Sequence, residues 1–349
     1  MKYFKIALSL LFIGFSHLLL SQDSQVQDLK NNKAIVEVFN KAVNSLNAKK
    51  YDEALVFFNE CLKFQPDYRD ALLERGKIYF ERNNISLALN DFNIILNNNS
   101  YDGEALFYKG YLFFSLDSVQ IAKDLFENAI DKGYEQNFCY YYLGVLQAFQ
   151  QEYEQALMSF DKAVGLNGTS AMIYHDRGFV KSKLNDWQGA IRDYQRATEL
   201  KSDFDNAFNN LGNAYKNMGE YELALNSYSK AVQLNSKFVE ALNNRGVIYY
   251  SLERYAEAEA DFYKALEYNN VYFPALLNLG NVKSKNGEYI AAIEFFDKVI
   301  MLVPDCGKAY LNRGLTIELT GKPEKACEDW NMALSLGIEE ASVYLKECK

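Results

Sequence analysis

Leu211-Gly212-Asn213-Ala214-Tyr215 runs, three residues later, into Gly219-Glu220-Tyr221-Glu222-Leu223-Ala224. The stretch reads as the second half of one helix, a turn at Gly219-Glu220 and the start of another helix, because a glycine followed by a polar residue punctuates two periodic segments. The same wording returns 68 residues further on, where Leu279-Gly280-Asn281 leads into Gly287-Glu288-Tyr289.

Half that interval is the period of the chain. Written in rows of 34 from Ile35, glycine recurs at Gly76, Gly110, Gly144, Gly178, Gly212, Gly246, Gly280 and Gly314, with Ala42 in the first row. Twelve residues on stands alanine in every row, from Ala54 and Ala88 to Ala292 and Ala326, and four residues after it a ring, from Phe58 and Phe92 to Phe296 and Trp330. Three further on the residue is small in most rows, as in Cys61, Ala129, Ala163 and Ala333. Spacings of four and three put alanine, ring and small residue on one face of a helix. Small residues let two helices approach, and the ring fills the groove beside them. Glycine costs about 1 kcal/mol inside a helix. Its column is explained if another helix crosses there and leaves no room for a side chain.

A helix-turn-helix period of this length and pattern resembles the tetratricopeptide repeat (TPR) family. The resemblance covers residues 35 to about 340. It implies an all-α fold: a right-handed α-solenoid, or superhelix, of nine helix-turn-helix units within 35–338, starting near 35, 69, 103, 137, 171, 205, 239, 273 and 307, with a capping helix over 339–349. The family's proline near the end of the unit is kept only as Pro66 and Pro304, so the other turns are expected to be kept but less rigid. In such an array each unit contacts its neighbours alone, and the first helices line a concave groove.

The N-terminus reads as a secretory leader over 1–21, with Lys2 and Lys5 before the largely apolar run Ile6 to Leu20 and the small residue Ser21 before Gln22. The run is shorter than the roughly 20 residues that span a bilayer, and an uncleaved anchor is the alternative. Residues 22–34 read as a linker. The expected location is therefore periplasm or cell surface, with no membrane span in the mature chain and an oxidising compartment. The formal charge of −9 becomes −11 once Lys2 and Lys5 leave, and no Lys/Arg stripe appears, which argues against nucleic-acid binding.

At the other end Gly337 is placed to stop a helix, and Ala341, Tyr344 and Leu345 share one face of the expected cap. Cys327 and Cys348 lie equidistant from the turn at Gly337-Ile338. In an antiparallel hairpin such residues face each other, and a disulfide is expected, two unrelated thiols being the alternative. The stretch Ala326-Cys327-Glu328-Asp329-Trp330 with Leu336-Gly337, Tyr344 and Cys348 also resembles an ending of exported bacterial TPR proteins. Cys61 occupies a core column as a small hydrophobe. Cys139 and Cys306 receive no role.

No catalytic constellation emerges. Outside the leader the only histidine is His175, without a nucleophile or partner pattern. There is no Cys-x-x-Cys, His-Glu-x-x-His, phosphate loop or dinucleotide fingerprint. The expectation is a chain that is not an enzyme and carries no metal or cofactor.

Numbering each row from one, with glycine at place eight, the family implies that places 2, 5, 6, 9, 12 and 13 face the groove. Rows three and four put rings there: Phe107, Tyr108, Tyr111, Phe114, Phe138, Tyr141, Tyr142 and Phe149, with Leu73 and Phe80 from row two. Rings give large contact area at low entropy cost, unless they only seal adjacent helices. Rows six to nine repeat Asn210, Asn244, Asn278 and Asn312 at place six, with Asn213 and Asn281 one turn on and Asn209 and Asn243 alongside. An amide both donates and accepts, so a ladder of them can pair with the backbone of an extended peptide, or bond locally between helices. His175, Asn209 and Asn243 at place five leave no lysine for the family's carboxylate clamp, and His175 beside Asp176 reads as a solvated groove residue. The expected function is a scaffold that binds an extended segment of a protein or peptide partner in the cell envelope. A carbohydrate- or polymer-binding module, or an accessory subunit of an envelope enzyme complex, is the alternative.

Overall fold

The computed structural model describes residues 32–348. The leader expected over 1–21 and all but the last three residues of the expected linker lie outside the described residues. Residues 32–34 are already helical, so α1 starts three residues ahead of the first row. Among the described residues there is no strand.

The described residues divide into two units, one up to residue 151 and one from residue 152. In the first, α1 spans 32–47, followed by α2 Tyr51–Phe64, α3 Arg69–Glu81, α4 Ile85–Asn98, α5 Gly103–Ser115, α6 Val119–Asp131 and α7 Asn137–Phe149. The second holds α8 Tyr153–Leu166, α9 Ala171–Lys183, α10 Trp187–Leu200, α11 Asp205–Asn217, α12 Tyr221–Leu234, α13 Val239–Ser251, α14 Tyr255–Tyr268, α15 Phe273–Lys285, α16 Tyr289–Leu302, α17 Gly307–Glu318, α18 Pro323–Ser335 and α19 Ala341–Tyr344, then a 3-10 turn Leu345–Glu347. Within each unit consecutive helices pack on one another as hairpins; the fourth row is divided, with α7 in one unit and α8 in the other.

The columns are the core. Ala54, Phe58, Ala122, Phe126, Ala258, Phe262, Ala292 and Phe296 are each 0% exposed. The crossing at glycine is made by the ring of the same row: a Cβ placed on Gly280 falls 2.5 Å from Phe296 Cε1, and one on Gly246 2.6 Å from Phe262 Cε1.

Two turn devices keep the hairpins in register. Place fifteen takes a left-handed conformation in every row, through Lys49, Asn83, Asp117, Gln151, Asn185 and Glu253 as well as Gly219, Gly287 and Gly321. The next backbone N–H then reaches back to place eleven, as in Asn84 to the Tyr79 carbonyl at 2.8 Å and Arg254 to the Tyr249 carbonyl at 2.8 Å, which closes the end of the first helix. A non-glycine residue is strained there, so Glu253→Gly is expected to stabilise unit 2 by about 0.5–1 kcal/mol after the entropy cost of glycine. A urea titration reads this as a higher midpoint, and a lower one contradicts it. In four of the seven rows that lack the family's proline, asparagine stands at place thirty-one instead. Asn99, Asn167, Asn235 and Asn269 each accept, through Oδ1, the backbone N–H two residues on at 3.1–3.3 Å, an Asx turn that restrains the loop without a ring.

A third column escaped the sequence reading. Arg75, Arg177, Arg245 and Arg313 precede the place-eight glycine, and each forms a two-pronged pair with an aspartate 16 residues on. Arg245 Nε and Nη2 donate to Asp261 Oδ2 and Oδ1, both at 2.7 Å, and Nη1 donates to Ser229 Oγ of α12 at 3.2 Å. One guanidinium therefore joins three helices and two rows.

At the C-terminus Gly337 is left-handed, with φ 86°, and ends α18 as expected. Ala341, Tyr344 and Leu345 pack over Trp330, whose ring centroid is 5.3 Å from that of Tyr344. The cap is not the single helix expected over 339–349: residues 339–340 form a turn, α19 has four residues, and the rest tightens to 3-10 before Cys348 turns extended towards α18. Cys327 and Cys348 stand at disulfide distance, with Cα atoms 5.8 Å apart. Cys61 and Cys139 are buried, and burial pushes their thiols up to about 11 and about 12.

Candidate partner-binding faces on the first helices

In unit 1 the rings of α5 and α7 form one interlocked layer. Phe107 is 4% exposed. It lies against Phe138 at 4.7 Å and Phe126 at 5.6 Å between centroids, and parallel to Tyr111 at 6.1 Å. The reading of Phe107 as a groove ring is therefore corrected, and Leu73, 2% exposed, falls with it. Both occupy place five, which points at the next row and is covered by it. The half-buried Phe138 is largely consumed in the same seal.

Tyr108, Tyr111, Phe114, Tyr141 and Tyr142 are half-buried, and Phe149 is 74% exposed. Tyr142 packs on Tyr111 at 4.8 Å and on Phe114 at 5.1 Å, and Phe80 meets Tyr111 at 5.3 Å. Burial, and then a bond with Tyr111, push the Tyr142 hydroxyl well above its ordinary range. Tyr108 is stacked on Phe92, and Lys77 Nζ lies 4.3 Å from its ring centre. Ring faces are thus largely spent on other rings and on one ammonium.

In unit 2 the amides connect row to row. Asn312 Nδ2 donates to Asn281 Oδ1 at 2.8 Å, and Asn278 Nδ2 to Asn243 Oδ1 at 3.0 Å. Asn244 Nδ2 donates to Asn209 Oδ1 at 3.0 Å and lies 3.4 Å from Asn213 Oδ1, which also accepts from the Tyr228 hydroxyl at 2.8 Å. Burial pushes that hydroxyl up. Asn210 Nδ2 lies 3.0 Å from His175 Nε2, whose Nδ1 is 2.7 Å from Asp176 Oδ1. If Nδ1–H donates to Asp176, Nε2 is the acceptor for Asn210. His175 is thus tied into the chain of amides and packed on Phe204 at 4.8 Å, which corrects its reading as a merely solvated residue.

Asn209 and Asn243 are 8% and 7% exposed, since they too stand at place five. Asn210, Asn213, Asn244, Asn278, Asn281 and Asn312 keep part of their surface open. Each is held by a neighbour, so its rotamer is fixed before any partner arrives. Between rows seven and nine Tyr250, Asn281, Ser284, Lys285, Asn312 and Leu319 help line a depression of about 350 Å³. Lys216, one turn beyond Asn213, was missed: it is half-buried, no carboxylate pairs with it among the described residues, and burial pushes its ammonium below the ordinary range. Its signal was its position at place twelve. Among the described residues no group of three His, Cys, Asp or Glu side chains could hold a metal ion. No helix among them is long and apolar enough to cross a membrane.

Comparison with known proteins agrees with the period. Tetratricopeptide repeat families match residues 206–238, 239–270 and 273–306, and a TPR repeat family matches 182–219. No curated protein matches the sequence. Among solved structures, a tetratricopeptide repeat protein from Parabacteroides merdae is 21% identical with a TM-score of 0.57, over 70% of this chain and 98% of that one. The C-terminal part of a TPR repeat-containing protein from Cytophaga hutchinsonii is 18% identical at 0.55, over 68% and 99%. The Cut9–Hcn1 hetero-tetramer of the APC/C is 18% identical at 0.57, over 84% of this chain and 58% of that one. At these identities the likeness is one of fold.

Proposed function

The chain is a tetratricopeptide repeat protein, a scaffold for protein–protein interaction, and we propose that it is exported and holds an extended segment of an envelope partner along the first helices of unit 2. The observation that carries this reading is the run of amides at one place in four successive rows, each fixed by the row before it. An extended peptide offers its backbone N–H and C=O groups at regular intervals. Preset amides meet them with little further loss of side-chain freedom. The exposed Phe149 and the half-buried rings beside it add apolar anchoring in unit 1. The mutual packing of Tyr108, Tyr111, Phe114 and Tyr142 with neighbouring rings counts against sugar stacking on them, which needs an open ring face. Export is supported by the leader pattern at 1–21 and by Cys327 and Cys348 at disulfide distance. The reading is a binding one, without catalysis or cofactor.

The test starts from affinity capture of partners by mature protein from its native envelope. Replacing Asn210, Asn244 and Asn278 together by Ala is expected to leave helical content unchanged and to weaken partner binding at least about tenfold, or ~1.4 kcal/mol. Unchanged affinity in a folded variant removes the ladder.

A further inference from the structure

Place fourteen, at the end of each first helix, sits over the start of the preceding row's second helix. Arg82 there reaches Asp52 and covers the Tyr51 ring. Gln150 meets Lys123 at 3.1 Å and Gln120 at 3.3 Å. Leu252 packs in one cluster with Leu225 and Tyr249. In each case a long side chain fills the seat.

The junction of rows eight and nine lacks it. Place fourteen is Thr320, whose hydroxyl turns back to the Ile317 carbonyl at 2.7 Å. Place eleven is Ile317, where row seven has Tyr249. With both shortened, an open groove of about 830 Å³ is left between α16 and α18, floored by Tyr289, Ile293 and Ile317. Ile290 stands on its edge, 77% exposed. Lys322 and Lys325 form one wall, and no carboxylate pairs with either among the described residues. On the opposite wall Glu288 is engaged by Lys283 at 2.9 and 3.1 Å, and Glu294 also lines the groove but pairs with neither Lys322 nor Lys325.

We propose that this groove, on the second-helix side and apart from the amide face, is a docking seat for a partner-protein segment that presents a bulky apolar side chain followed by carboxylates. The apolar group takes the place of the missing place-fourteen side chain, and the carboxylates meet Lys322 and Lys325.

The probe is acetyl-Trp-Glu-Glu-amide, titrated calorimetrically into the full chain. Saturable one-to-one binding is expected, weakened about tenfold or more when the probe's Trp is Ala. Thr320→Leu restores the residue of other rows. It is expected to raise Tm by roughly 2–4 °C and to cut probe affinity about tenfold. Lys322→Gln with Lys325→Gln is expected to weaken binding and remove its salt dependence, while the triple Asn variant binds the probe normally. Absence of saturable binding, or affinity unchanged by Thr320→Leu, overturns the proposal.

Discussion

Replacing Asp261 by Ser is expected to cost unit 2 about 3–5 kcal/mol, because it strands the Arg245 guanidinium in a mostly buried position. Asp261 is 6% exposed and takes both prongs of Arg245 at 2.7 Å. Removing one member of such a pair leaves an uncompensated charge, whereas removing both need cost little. The repeats supply the natural replacement, since row six carries Leu211 and Ser227 at the equivalent places. The double variant Arg245→Leu/Asp261→Ser is therefore expected to regain most of the loss, and a double-mutant cycle in urea measures the coupling. A double variant as unstable as the single one contradicts the account of the column as a self-contained charge pair.

Gly280→Val is the second large effect. A Cβ there falls 2.5 Å from Cε1 and 2.8 Å from Cδ1 and Cζ of Phe296. The ring is 0% exposed and enclosed by the helix pair, so it cannot swing away cheaply. Overpacking of this kind costs about 1–3 kcal/mol, occasionally more, and valine adds a branch at the contact. The expected loss is about 3 kcal/mol with far-ultraviolet helicity retained at low temperature, read as a depressed Tm. A wild-type Tm means that the glycine column is not a helix crossing.

These two residues mark what the sequence could and could not tell. Glycine, alanine and ring repeat by identity, so the hairpin and its core crossing were legible from spacing alone. So were the stop at Gly337, because glycine readily takes the left-handed conformation that ends a helix, and the approach of Cys327 to Cys348, because the two lie equidistant from that turn. The Arg–Asp column was not, since it appears in only some rows and alternates with an uncharged choice such as Leu211 and Ser227. Place fifteen was hidden for the opposite reason: every row uses one backbone conformation, but Lys49, Gln151 and Glu253 give no sign of it.

The binding face was legible as a set of places and misread in depth. Place five looks inward to the next row, which buries Phe107 and turns Asn209 and Asn243 into acceptors for the row after them. Place six keeps its open edge because its bond to the preceding row, at place five for Asn210, Asn244 and Asn278 and at place nine for Asn312, uses only its amide nitrogen. A list of groove places carries no information on which side chain lies beneath which. That depends on the axial offset between rows, and Asn278 to Asn243 reports it directly.

The amide face is tested most directly by hydrogen–deuterium exchange on the full chain, with and without a partner captured from the envelope. Added protection is expected along α11, α13, α15 and α17, strongest around Asn210, Asn244, Asn278 and Asn312. Protection confined to the second helices, or absent from all four first helices while the partner is bound, would contradict it.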